Sequence, residues 1–261
     1  MVSAVPDVLA RIVEHKRTEL LALAPRISEL ETLASMTVPT RRDFKSALTA
    51  RPPAIIAEAK KASPSKGLLC AEFDAARIAT DYESGGAAAL SVLTDRKFFQ
   101  GSLADMSRAR AAVRLPVLRK DFTFDESQVL EAAAHGADAV LLIAAILTAA
   151  EMRSLRECAA LYKLASLVEV HDDEELTRAI DSGAEIIGVN NRNLHTFEVD
   201  LETSVRMAAR IPANVVRVSE SGIHSAGDVR RLRAAGYHAF LVGEHLMKSA
   251  NPGEALRCLL A

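Results

Sequence analysis

From residue 54 onward the chain alternates between two hydrophobic rhythms. Short apolar runs, most of them rich in Val, Ile and Leu, lie at Ala54–Ala57, Ala88–Leu93, Pro116–Leu118, Ala139–Ile143, Leu164–Val170, Ile186–Val189, Val215–Val218 and Ala239–Val242. Continuous runs of this kind suit strands of a parallel sheet, buried on both faces. Between them lie segments with helical spacing of apolar residues. "FDESQVLEAAAHG" has Asp125 as a cap and Gly136 at its end; "DDEELTRAIDSG" runs into Gly183, "SAGDVRRLRAAG" into Gly236, and "ARIATDYESGG" into Gly85–Gly86. Glycine ends a helix in the left-handed conformation without a Cβ penalty. Helix, glycine stop and strand thus repeat over about 200 residues, the size of a (β/α)8 TIM barrel. The competing α/β arrangement is an open doubly wound sheet. It favours Gly-x-Gly-x-x-Gly after the first strand, and the stretch "EAKKASPSKG" has no such turn.

Ahead of this repeat, "VPDVLARIVEHKRTEL" reads as an amphipathic helix, with Asp7 as cap and Val8, Leu9, Ile12, Val13 and Leu20 near helical spacing. A polar stretch follows at Thr37–Arg42. Residues 1–45 are too few to hold a core of their own. They are expected to be a helical extension packed on the barrel, within one domain of residues 1–261.

Composition narrows the function classes. Hydrophobic residues make up 49% of the 261 and the formal net charge is −2, which suits a globular protein and disfavours a nucleic-acid surface. Three scattered cysteines, Cys70, Cys158 and Cys258, form neither a disulfide framework nor a zinc pattern, so a reducing cytoplasm is expected. The N-terminus does not have a signal-peptide layout, and no run is long and apolar enough to span a bilayer. The sequence is compatible with a monomer.

In a (β/α)8 barrel the active site lies at the C-terminal ends of the strands. Those ends are charged here. Strand one finishes in Glu58 and Lys60, strand three in Arg119, Lys120 and Asp121, and strand five contains Glu169. Strand six ends in Asn190, with Asn191 and Arg192 beyond; strand seven ends in Ser219, Glu220 and Ser221. Strands must end and loops are polar, so any one of these positions has a plain explanation. Together they differ: Ile56, Glu58 and Lys60 alternate by two and share a face, as do Leu167 and Glu169. Charges are rarely buried unless paired. Opposite charges converging on one mouth would carry shifted pKa values suited to acid–base chemistry.

Strands seven and eight are followed by Gly222 and by Gly243–Glu244, each glycine ahead of an expected helical turn. Glycine permits close backbone approach, and the last two loops of this fold often hold phosphate. Phe98 and Phe99 follow strand two; Phe122 and Phe124 follow strand three. These aromatics either cover the barrel top or form a slot for a planar ring. His171, His195, His224 and His245 lie after strands, but without metal-ligand spacing, so no metal is expected.

The segments "IIAEAKKASPSKG", "SVLTDRKFFQGS", "PVLRKDF", "LVEVH", "GVNNRNL", "VSESGI" and "FLVGEHLM" run from the first strand to the last. On these segments the chain resembles the indole-3-glycerol-phosphate synthase family of tryptophan biosynthesis. The resemblance implies the substrate 1-(2-carboxyphenylamino)-1-deoxyribulose 5-phosphate, ring closure with loss of carbon dioxide and water, and no cofactor. By motif position it places catalytic roles on Glu58, Lys60, Lys120, Glu169, Asn190, Glu220 and Ser221. It places phosphate contacts at the backbone of Gly222, Gly243 and Glu244, anionic groups of the substrate at Ser63 and Arg192, and its ring at Phe99 and Phe122. Ala59 is smaller than the pattern leads one to expect. Two other readings stay open: a related phosphosugar barrel, such as phosphoribosylanthranilate isomerase or an epimerase, and a non-catalytic barrel that binds.

Overall fold

The computed structural model describes residues 7–261. The side chain of Asp7, the expected cap, lies outside what is described. Eight parallel strands close into a barrel: β1 (Ala54–Ala59), β2 (Ala89–Leu93), β3 (Val117–Lys120), β4 (Ala139–Ile143), β5 (Ala165–Val170), β6 (Ile186–Asn190), β7 (Val216–Glu220) and β8 (Ala239–Val242). Closure is made by β1, whose Ile56 is in register with Ala89 of β2 on one side and Leu241 of β8 on the other. This excludes the open doubly wound sheet.

All eight apolar runs became strands, and four grew at their C-terminal ends. β1, β3, β6 and β7 continue into Glu58, Lys120, Asn190 and Glu220, which the hydrophobic pattern left beyond the run. The ladder uses backbone groups and does not depend on side-chain polarity. Side chains of alternate residues face the barrel interior. Ala54, Ala89, Ala139 and Ala239 fill its lower part and Ile56, Leu118, Leu141, Leu167, Val218 and Leu241 its middle. The charged residues form the layer above. A second apolar cluster lies outside the strands, under the surrounding helices.

The helix boundaries follow from local chemistry. Asp125 and Gln128 form a capping box at helix Glu126–Ala134, worth about 1 kcal/mol. Gly86, Gly136, Gly183 and Gly236 all have φ between 79° and 99°, the left-handed region expected of helix-ending glycines. Gly243 precedes the short helix Glu244–Met247, whereas Gly222 does not start a helix directly: the next begins at Ala226, capped by Ser225. The Ser225 hydroxyl accepts the Asp228 N–H there, which moves the helix start three residues downstream.

The extension clasps the barrel from end to end. α1 (Asp7–Leu23) lies across the mouth, α2 (Ile27–Thr37) descends along helix Glu126–Ala134, and α3 (Phe44–Ala50) closes the floor, with Phe44 and Leu48 packed on the lower interior. The helical segment therefore runs past residue 45. Near the floor, Arg42 donates to the Leu115 carbonyl at 2.6 Å and its N–H to Asp138 at 2.8 Å. No described helix is long and apolar enough to cross a membrane.

Candidate active site

The upper layer of the barrel interior is built from strand ends. Lys120 on β3 reaches across to β5 and β7: its Nζ lies 2.5 Å from Glu169 Oε2 and 3.0 Å from Glu220 Oε2. Asn190 on β6 donates from Nδ2 to Glu169 Oε1 at 3.2 Å, and its own Oδ1 accepts the Arg192 N–H at 3.0 Å. On β1, Glu58 Oε1 lies 2.7 Å from Nζ of Lys60, two residues further on. Glu58, Glu169 and Glu220 are all buried.

Burial disfavours charge, so the partners decide each protonation state. Burial alone would lower the Lys120 pKa; Glu169, Glu220 and Glu58 overcome this and keep it ammonium above the usual range. The two glutamates on Lys120 part company. For Glu169, burial is outweighed by Lys120 and His171, and the carboxyl is held well below the usual range. For Glu220, burial dominates: Lys120 opposes it, the Glu169 charge reinforces it, and the pKa rises to about 8. Glu220 Oε1 also has no hydrogen-bond partner. One proton on Glu220 resolves the like-charge contact. The mouth therefore sets an ammonium beside an ionised and a protonatable carboxyl.

His171 belongs to this cluster, although its loop position gave no functional signal. Its Nε2 lies 3.3 Å from Glu169 Oε1 and its Nδ1 3.0 Å from Glu175 Oε2. The Nε2 contact is ionic and lacks hydrogen-bond alignment. Burial would lower the His171 pKa, but the two carboxylates raise it to about 10. The usable sequence signal was its spacing, two residues beyond Glu169 on the same face. Among the described residues no group of three His, Cys, Asp or Glu side chains could hold a metal ion.

Two glycines make room for these carboxylates. A Cβ on Gly188 of β6 would overlap Glu220 Oε1, and one on Gly243 would overlap Glu58 Oε1. Gly243, expected to give way to a ligand, also gives way to Glu58. Ser221 and Gly222 both take left-handed φ, 67° and 79°, turning the chain sharply beyond Glu220.

A cavity of about 430 Å³ opens above the layer, lined by all seven candidate catalytic residues. Ser63, Phe99, Phe122, Arg192, Gly222, Gly243 and Glu244 line it as well. The size suits a small-molecule ligand. Phe99 and Phe122 stand 6.0 Å apart, tilted by 40°. Phe98 and Phe124 turn away, the first against His15 and the second under Arg17. On the opposite rim Arg192 lies 3.6 Å and Lys66 3.8 Å from Glu244; the Lys248 hydrogen bond, with Lys66 and Arg192 nearby, outweighs burial and keeps that carboxyl below its usual pKa. Ala62–Ser63 and Gly67–Leu68 form a small antiparallel hairpin, which orders the "ASPSKGL" stretch at the rim.

α1 contributes Val8, Leu9 and Ile12 to the cavity wall. One turn on, Lys16 is 2% exposed, with Nζ 2.9 Å from Asp121 and 3.2 Å from Asp95. The sequence reading passed over it. Its signal was a lysine in register with the buried Leu9 and Ile12.

A family profile described as indole-3-glycerol phosphate synthase matches residues 9–259. A protein of that name from Koribacter versatilis (strain Ellin345) is 52% identical over 257 residues, covering 97% of this chain and 98% of the relative. One from Desulfotalea psychrophila (strain LSv54 / DSM 12343) is 50% identical over 252 residues, covering 96% and 97%. Two solved structures are similar in fold alone. A thiamine phosphate pyrophosphorylase from Pyrococcus furiosus has a TM-score of 0.60 at 18% identity, covering 79% of this chain and 93% of that one. An N-acetylmannosamine-6-phosphate 2-epimerase from Clostridium perfringens has a TM-score of 0.61 at 14% identity, covering 77% and 89%. Sequence similarity over nearly the whole length, on a barrel whose mouth holds the expected charges, settles the affiliation: the chain belongs to the indole-3-glycerol phosphate synthase family, carboxy-lyases of tryptophan biosynthesis.

Proposed function

We propose that this chain closes the indole ring with Lys120 as general acid and Glu169 as base. The substrate is 1-(2-carboxyphenylamino)-1-deoxyribulose 5-phosphate and the product indole-3-glycerol phosphate. The observation that carries the assignment is the Lys120 ammonium held between Glu169 and Glu220 at the floor of the cavity.

The reaction joins the carboxylate-bearing ring carbon to the ketone carbon of the sugar. A ketone is a weak electrophile until its oxygen accepts a proton or a strong hydrogen bond, and an ammonium supplies either. As the carbon–carbon bond forms, the carbonyl oxygen takes the proton and the ring nitrogen becomes cationic. Glu58 and the ionised Glu169 offset that positive charge where water is scarce. The carbon–carboxylate electron pair then flows toward the cationic nitrogen, carbon dioxide leaves, and the ring regains aromaticity. Finally the new hydroxyl departs as water with a proton from Lys60, or from Lys120 once it has regained one from solvent, and Glu169 takes a proton from the five-membered ring.

Positioning supplies the remainder of the rate. The backbone at Gly222, Gly243 and Glu244 anchors the phosphate, and Phe99 and Phe122 hold the ring. Ser63 and Arg192 face the other anionic groups. Asn190 orients Glu169, which its hydrogen bond supports. Glu220 and Ser221 complete the wall. The three thiols are unpaired, in keeping with a cytoplasmic enzyme.

The test is a single-turnover assay with the carboxyphenylamino substrate, read by indole fluorescence. Wild-type protein should produce the signal, and Lys120→Met should lose it while still binding product. A near-normal single-turnover rate in Lys120→Met removes Lys120 as the acid.

A further inference from the structure

Lys16 joins the loops after β2 and β3 through one buried ammonium. Its ammonium bonds Asp121, after β3, at 2.9 Å and contacts Asp95, after β2, at 3.2 Å; Glu19 of α1 itself lies at 2.9 Å. Each aspartate in turn holds an aromatic loop by its backbone. Asp95 Oδ1 accepts the N–H groups of Phe98 at 2.6 Å and Phe99 at 3.1 Å. Asp121 Oδ1 accepts the Phe122 N–H at 2.9 Å, while its Oδ2 accepts from the Thr94 hydroxyl at 2.5 Å and from Arg119 at 3.2 Å.

We infer that Lys16 is a positioning residue for the aromatic slot: it fixes the separation of Phe99 and Phe122 by tying their two loops to one buried ammonium on the extension. Asp95 is fully buried and has no other cation within ion-pair distance among the described residues. An unpaired carboxylate there would be strongly disfavoured, and the loop would move to reach water or a proton. Both rings hang from backbone amides bonded to these carboxylates. A shift of either aspartate therefore shifts a ring, and the slot has only 6.0 Å between ring centres. The Lys16 pKa follows the same geometry: burial would lower it, but Asp121, Asp95 and Glu19 raise it and keep the clamp charged. The extension thus does more than close the mouth: it sets the width of a specificity pocket. The inference rests on the reading of Phe99 and Phe122 as the ring site.

The experiment compares two competitive inhibitors of the full-length enzyme, indole-3-glycerol phosphate and ring-free glycerol 3-phosphate. Phe122→Ala first tests the slot itself: it should weaken only the ring-bearing inhibitor, and an equal effect on both overturns the ring-site reading. Lys16→Met should weaken indole-3-glycerol phosphate about tenfold, equivalent to about 1.4 kcal/mol, and leave glycerol 3-phosphate unchanged. Lys16→Arg, which keeps the charge, should restore most of the difference. The Lys16→Met and Phe122→Ala effects should be markedly less than additive in the double variant, since both act on one slot. Arg42→Ala, which removes the bond from the extension to the Leu115 carbonyl near the barrel floor, should lower the melting temperature without selectivity between the inhibitors. A folded Lys16→Met protein that binds both as wild type, or weakens both equally, overturns the Lys16 inference while leaving the slot intact. Asp95→Asn breaks the same clamp from the other side and should reproduce the selective loss. Failure of both Lys16→Met and Asp95→Asn to fold would assign the clamp to global stability and overturn the inference too.

Discussion

Glu169 and Glu220, on strands two apart in the barrel, share a single ammonium and differ in what they do with it. Lys120 lies 2.5 Å from one and 3.0 Å from the other. Glu169 has two further partners, Asn190 and His171; Glu220 leaves an oxygen unpaired. Equal chemistry in unequal surroundings gives one ionised carboxylate and one that holds a proton near neutrality.

Removing the shared cation tests its role. Lys120→Met should lower kcat by about a thousandfold, within the range for a lost general acid. The product inhibition constant should stay within a few-fold of wild type, because phosphate and ring anchors are untouched. Rapid-quench kinetics with a normal rate would contradict the assignment.

Glu220→Gln should trade activity for stability. The folded-state pKa is raised from 4.5 to about 8, so the folded protein holds a proton that the unfolded chain has lost between those values. Its stabilising contribution is full below about 4.5, declines as pH rises, and is lost above about 8. Glutamine has no such dependence. Relative to wild type, the variant should gain stability between pH 5 and 8.5, on the order of a few kcal/mol, while turnover falls. Denaturation midpoints that differ by the same amount at every pH would refute this.

His171→Asn should behave in its own pH window. The folded pKa is raised from 6.5 to about 10, so the imidazolium stabilises the fold fully below 6.5 and ceases to do so as pH passes 10. The wild-type advantage in urea denaturation should be large at pH 6 and shrink toward pH 10. The rate should fall about tenfold to a hundredfold as Glu169 loses an orienting cation. A stability gap that does not narrow with pH would show that His171 is not charged.

Gly243→Ala should injure the site without unfolding the barrel. Gly243 has a negative φ, −123°, so the residue is not in the left-handed region that demands glycine. The added Cβ meets the Glu58 carboxylate and must displace it. Turnover should drop on the order of a hundredfold, with a melting temperature near wild type. Unchanged kcat would mean that Glu58 has freedom to move.

Much of the fold was legible because it rests on period and punctuation. Eight apolar runs became eight strands, and glycines 86, 136, 183 and 236 took the left-handed φ that a helix stop requires. The charged mouth was legible for the same reason: Glu58 and Glu169 sit two residues beyond apolar neighbours on the interior face. Gly222 was misplaced by local chemistry, since Ser225 captures the helix start. Lys16 and His171 were missed because each looks ordinary in its own segment. A lysine on a polar-looking helix and a histidine after a strand acquire meaning only from carboxylates distant in sequence.

The sequence by itself determined which residues face the barrel interior, since alternation along a strand is local geometry. It also determined where helices stop, since φ preference belongs to the residue. Only the tertiary structure decided which charges meet. Lys120, Glu169 and Glu220 come from three strands, and ring closure puts them within 3.0 Å of one ammonium. Only there could one carboxyl be ionised and its neighbour keep a proton, because a pKa is set by burial and by the charges nearby in space rather than along the chain.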